Sequence, residues 1–208
     1  PAIKEIVRYI NEEDKDFTIR IHAGENDSLR NNVRKSIMCV KESLEKEQEM
    51  PRCRIGHGLY SEDLNTESGK ELLKLMKDTG VVIEFQLTSN VRLNNLSDLK
   101  NHPIKIFLKN GIKCVQGTDG GGMYGSDTFD EQLALQNLLE LSDDEFAKMR
   151  EVEDEITTKN NIYFMQKSEK FDKFLSGRAI KEAILEEEDK YMKETENQDE
   201  LRINTKLD

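Results

Sequence analysis

The chain reads as an α/β protein built on a parallel sheet. From Pro1 to about Gly125, strand-like and helical patterns alternate. The strand candidates begin near Phe17, Arg52, Val81 and Lys113, so successive starts fall 35, 29 and 32 residues apart. That step is the mark of βαβ units. Polar residues gather directly after each strand, and beyond Gly125 the patterns are helical only. Four units are too few to close an eight-stranded barrel, which takes about 250 residues. Spacing alone therefore leaves two architectures, a small open sheet and half of a barrel.

Ile3, Ile6, Val7 and Ile10 recur at helical spacing, so the chain opens in an amphipathic helix. Residues 17–21 alternate apolar and polar as a strand running into His22, and Val33, Ile37, Val40 and Leu44 form the buried stripe of the next helix. Arg52 to His57 is the second strand, placed mostly by its position. Leu72, Leu73, Leu75 and Met76 mark a helix that stops at Gly80. Residues 81–85, Val-Val-Ile-Glu-Phe, are the clearest strand. Pro103 opens a short helix through Ile104, Phe107 and Leu108, and residues 112–116 form the fourth strand, followed by the glycine-rich run 117–122. Leu133, Leu135, Leu138 and Leu139 then lie in a helix. Ser142 to Glu145 matches a capping box that starts another, and residues 171–185 suggest a third. The expected division is a strand-bearing part over 1–125, closing helices over 126–185, and a polar helical or disordered tail over 186–208.

Of 208 residues, 31 are Lys or Arg and 42 are Asp or Glu, a net charge of -11. An acidic chain lacks the basic face that nucleic acid or an anionic membrane surface would require. No apolar run approaches the roughly 20 residues of a membrane span, and the opening residues do not read as a signal peptide. Cys39, Cys53 and Cys114 are odd in number and widely spaced, which points away from a disulfide framework and towards a reducing, cytoplasmic setting. Cys39 and Cys114 fall on apolar positions and read as core. Cys53, between Arg52 and Arg54, is where neighbouring cations could lower a thiol pKa.

His22 and Glu25 follow the first strand, His57 the second, Thr88, Ser89 and Asn90 the third, and Asp119 the fourth. In a parallel α/β sheet these positions share the C-terminal edge, where such folds place their active sites. Histidine, aspartate and glutamate also bind zinc while leaving a position open for water. Each residue has a plainer reading: Glu25 can cap the helix that follows, His57 can be structural, and Asp119 can be a turn residue before glycines.

The strings Ile21-His22-Ala23-Gly24-Glu25, Arg54-Ile55-Gly56-His57-Gly58, Glu84 to Asn90, Asn101-His102-Pro103-Ile104 and Thr118-Asp119-Gly120 resemble, in order and separation, the adenosine deaminase family of metal-dependent amidohydrolases. The resemblance spans about residues 19–131. It implies that the chain is the C-terminal half of a TIM (β/α)8 barrel plus C-terminal helices. It also implies a hydrolase of purine metabolism that takes the amino group off a purine nucleoside or related compound. His22 and Asp119 would be zinc ligands, Glu25 the proton shuttle to the purine ring nitrogen, and His57 the group beside the attacking water. His102 would order its loop.

Two features depart from the family's pattern. The family draws two further zinc ligands from a His-x-His motif on its first strand, and none occurs in this chain. The remaining ligands are therefore expected from a missing N-terminal half, and the fragment alone is expected to be inactive. A half barrel would expose two unpaired edges, so the piece is expected to need that half, or another copy of itself, as partner. Second, the position after Asp119, where the family places a substrate-contacting Asp, is Gly120. This leaves Gly120 as a candidate substrate-facing position and opens the substrate to compounds other than adenosine. A catalytically inactive barrel domain serving assembly is the remaining alternative.

Overall fold

A computed structural model describes residues 2–14, 17–93, 95, 96 and 98–171. In chain order the elements are α1 (Ala2–Glu13), β1 (Thr18–Ala23), α2 (Asn32–Lys41), β2 (Arg52–His57), α3 (Glu67–Thr79), β3 (Val82–Phe85) and α4 (Leu87–Arg92). There follow α5 (Ile104–Lys109), β4 (Lys113–Gln116), α6 (Gly121–Tyr124), α7 (Thr128–Leu138) and α8 (Asp143–Phe171). The chain divides into two compact units between Ile156 and Thr157. The first carries the sheet; the described part of the second is helical. The helix expected over 171–185, Phe171 apart, and the tail from Glu186 lie outside the described residues.

The four strands are parallel and lie in the order β1-β2-β3-β4. This order decides between the two architectures left open. Right-handed crossovers that always step the same way put every helix on one face, as in a barrel; a doubly wound sheet reverses direction. The register agrees. Ile21, Ile55, Ile83 and Cys114 stand side by side, in one apolar cluster with Val33 and Ile37 of α2, Leu72 and Met76 of α3, and Ile104 and Phe107 of α5. Each fully buried side chain there contributes roughly 2 kcal/mol. The opposite face carries Arg20, Arg54, Val82 and Lys113 in one row and His22, Gly56, Glu84 and Val115 in the next. A polar inward face on a sheet whose other face is sealed by helices fits an arc of a barrel.

Most helices begin and end where the pattern puts them. Thr66 caps α3 by accepting from Gly69 N–H at 3.2 Å, and Gly80 ends it in a left-handed conformation. Ser142 and Glu145 form the expected reciprocal cap at the start of α8, with Glu145 Oε2 2.9 Å from Ser142 N. Several details differ, among them Leu44, which lies past the end of α2 instead of in its stripe, and the short α6 in the glycine-rich run. Ile6 is half exposed, because the buried stripe of α1 runs through Val7 instead. Cys39 is half-buried, outside the line of Val33, Ile37 and Val40. The helix α4 is not predicted: six residues with two apolar positions carry no period to detect.

Cys53 overturns the reading that arginines would activate it. Successive strand side chains point to opposite faces, so Arg52 and Arg54 leave Cys53 facing the core, where burial pushes its thiol up to about 12. Burial likewise raises Cys114.

His102 orders the start of α5 from inside the core. Its ring centroid lies 4.8 Å from that of Phe85, and its Nδ1 accepts from Ile104 N–H at 3.3 Å. The proton therefore sits on Nε2, which is buried without a partner. Protonating Nδ1 would set two donors face to face, and burial holds the imidazole down at about 4. Because the folded state resists a proton that the unfolded state accepts near 6.5, the stabilisation is complete above pH 6.5 and is lost as pH falls to 4. The total is about 3 kcal/mol. Urea unfolding between pH 7.5 and 4.5 should show a fall in stability that is shallower by about that amount in His102→Asn.

Candidate active site

Each strand delivers its polar residue to the same edge by a specific turn. At the end of β1, Gly24 takes φ 77°, and a Cβ there would meet Val33 Cγ2 at 2.7 Å and Tyr60 O at 2.8 Å. Only glycine fits, and the turn it makes swings Glu25 back over His22. His22 Nε2–H donates to Glu25 Oε2 at 2.7 Å. His57, the last residue of β2, also has a left-handed backbone, φ 72°. Its ring centroid lies 4.3 Å from that of His22. Its Nδ1–H donates to Asn90 Oδ1 at 3.0 Å, leaving Nε2 bare and 3.7 Å from Glu25 Oε1. Asp119, with φ 55°, follows β4, and its Oδ2 accepts from Ser89 Oγ at 2.8 Å.

His22, Glu25 and His57 are thus brought together: one donor atom from each lies within 4.8 Å of the others. Asp119 shares the rim without joining that group of three. It is close enough to act on His57 electrostatically. Exposure separates the roles. The His22 side chain is 63% exposed and that of His57 1%, with Glu25 between them at 25%. Burial pushes the His57 imidazole below its ordinary pKa, a push that Glu25, Asn90 and Asp119 oppose and His22 reinforces. His57 is consequently neutral near pH 7. The imidazole of His22 and the carboxylate of Asp119 are donors of the kind zinc accepts, and the site faces solvent through His22, so the residues present fit part of a divalent-ion site.

Gly120 lies in the turn before α6. A Cβ on it would meet the Tyr124 ring at 3.0 Å. A side chain at this position would need that ring to give by a few tenths of an ångström.

Sequence reasoning noted Ser89 and Asn90 only as polar strand-end residues; the structure gives them partners in Asp119 and His57. It missed Glu131 altogether. This glutamate of α7 is fully buried, and both its carboxylate oxygens lie 3.2 Å from Thr88 N–H, at the first turn of α4. Burial raises its pKa while the Thr88 and Leu87 contacts pull it down. Glu84 and Gln86 were quoted only as part of a family-like string and given no role, although a charged residue in a strand buried on both faces is a visible signal.

The sequence profile of the family described as "Adenosine deaminase" matches residues 5–160, three quarters of the chain and the whole of this rim. The chain belongs to the adenosine deaminase family. Among similar proteins, the adenosine deaminase of Plasmodium gallinaceum is 33% identical over 146 residues, covering 70% of this chain and 36% of that protein. The Plasmodium falciparum (isolate 3D7) adenosine deaminase is 28% identical over 165 residues, or 79% of this chain and 38% of the relative. The Escherichia coli (strain SMS-3-5 / SECEC) adenosine deaminase is 31% identical over 122 residues, 57% and 31% of the two chains. The chain spans about a third of the length of these adenosine deaminases. Among solved structures, adenine deaminase from Arthrobacter aurescens superposes with a TM-score of 0.49 at 21% identity, covering 70% of this chain and 39% of that one. No described helix is long and apolar enough to cross a membrane.

Proposed function

We propose that this chain supplies four groups to the active site of a zinc-dependent aminohydrolase that releases the amino group of a purine nucleoside as ammonia. The observation that carries this reading is the meeting of His22, Glu25 and His57 at one sheet edge, beside an Asp119 that Ser89 holds in place. His22 and Asp119 are assigned as metal ligands, with the remaining ligands coming from outside this chain, in an N-terminal barrel half or a second copy. Zinc held there would supply the Lewis acid that makes water a nucleophile near neutral pH.

The chain's own residues do the rest. His57, buried, neutral and fixed through Nδ1 by Asn90, presents Nε2 as an acceptor that orients the attacking water. Glu25 lies within reach of both imidazoles and moves a proton to the purine ring nitrogen as the amino-bearing carbon is attacked. Such a positioned acid–base group contributes roughly 10²–10⁴ in rate. Residues 1–125 carry this rim, and α7 packs against β4 beside it.

Gly120 favours a second reading of the substrate. Glycine offers no acidic contact to a purine at this position, which suits a related amino compound that makes no such contact.

The test has two arms. Calorimetric titration with zinc chloride of the chain mixed with a polypeptide carrying the other barrel half should show uptake that His22→Ala abolishes. Ammonia release should then be measured on adenosine, adenine, AMP and guanine derivatives after mixing with a polypeptide carrying the other barrel half. Release from adenosine supports the first reading, and release from another member of the panel supports the second. Zinc uptake unaffected by His22→Ala, or a zinc-loaded assembly inert on the whole panel, rejects the proposal.

A further inference from the structure

Gln86 is fully buried at the junction of β3 and α4, and both ends of its carboxamide are used. Oε1 accepts from His57 N–H at 2.9 Å, and Nε2 donates to Glu84 Oε1 at 3.0 Å. Glu84 is itself clamped: Arg20 donates to it through Nε at 3.1 Å and through a terminal nitrogen at 2.5 Å, and Arg54 lies 3.4 Å away. Gly117, just past β4, leaves room for that carboxylate, since a Cβ there would stand 2.8 Å from Glu84 Oε1. The Gln86 main chain matters too, because its carbonyl accepts from Asn90 N–H at 3.0 Å. One residue therefore governs both holds on His57, gripping the backbone amide with its side chain and starting the turn that carries Asn90.

His57 needs such holds. A left-handed backbone on a non-glycine residue persists only where its surroundings over-determine it. The polar groups of β3 also need an explanation, because buried polar side chains without a partner are costly and Glu84 and Gln86 are spared that only by this chain of contacts. We infer that Gln86 is a positioning residue: anchored through Glu84 to Arg20 and Arg54, it fixes the backbone of His57 and thereby aims the imidazole across the rim. Gln86 touches no reacting atom. The catalytic consequence rests on the proposed role of His57; the positioning itself does not.

Amide hydrogen exchange followed by NMR on the full chain reads the positioning without any activity. In the wild type, the His57 amide should exchange far more slowly than an open-loop amide. Gln86→Leu should lower that protection roughly tenfold, the effect of losing one buried hydrogen bond, while the Ile55 and Ile83 amides change less than about twofold. Gln86→Glu, which shares a proton with Glu84 and so keeps its other oxygen facing His57 N–H, should restore it. An unprotected His57 amide in the wild type overturns the inference even if Gln86→Leu fails to fold, and so does unchanged protection in Gln86→Leu. In the assembled deaminase, Gln86→Leu should lower kcat about tenfold with KM within about twofold. Lost protection with unchanged kcat overturns the catalytic consequence. Lost protection in an assembly whose wild type releases no ammonia upholds the positioning and rejects the deaminase reading instead.

Discussion

Replacing Glu25 by Gln is expected to slow ammonia release from the preferred substrate at least a hundredfold while zinc content per chain is retained. The amide keeps the shape of the side chain and one oxygen near the imidazoles, but it cannot take up and return a proton at neutral pH. General acid–base catalysis by one group contributes roughly 10²–10⁴, and the whole of that contribution should vanish from kcat. Metal analysis of the purified variant beside a steady-state ammonia assay separates chemistry from binding. An undiminished rate would remove Glu25 from the mechanism. Loss of zinc together with activity would make Glu25 a ligand, as its place within 4.8 Å of the His22 and His57 donors permits.

The largest effect on stability is expected at Glu131. Its buried carboxylate takes the first amides of α4, which otherwise have no acceptor within the helix. Glu131→Ala would strand those donors in the core, at a cost of about 3 kcal/mol. Glu131→Gln, which keeps one oxygen for them, should cost about 1 kcal/mol. Urea titration gives both numbers from the shift in midpoint. Because the same turn carries Ser89 to Asp119 and Asn90 to His57, zinc affinity should fall along with stability. Equal stability of Glu131→Ala and the wild type would show that α4 is held by its apolar contacts alone.

The strands and most helices were legible because their periods differ and their stops are marked by glycine and proline. The rim was legible from topology, since strand-end residues of a parallel sheet must share an edge. What topology cannot give is distance. That Glu25 reaches both histidines depends on the turn at Gly24, and only the structure shows that Asp119 takes Ser89 as its partner. Glu131 was invisible because its partner is 43 residues away and nothing in its own helix signals burial. Cys53 misled for a local reason: adjacency along a strand places neighbours on opposite faces, so Arg52 and Arg54 are near in sequence and absent from its surroundings. The family resemblance supplied roles for His22, Glu25, His57 and Asp119; it supplied none for Gln86.

His57 and Asp119 both hold backbone angles that glycine would adopt freely. Each such residue costs on the order of 1 kcal/mol, drawn from the packing of the helices behind the sheet. Evolution towards greater thermal resistance could recover that energy most directly at these two positions, and there it would erase the chemistry. Heat tolerance in this protein must therefore be sought on the far side of the strands, in the apolar layer of Ile37, Ile55 and Phe107, where nothing reacts.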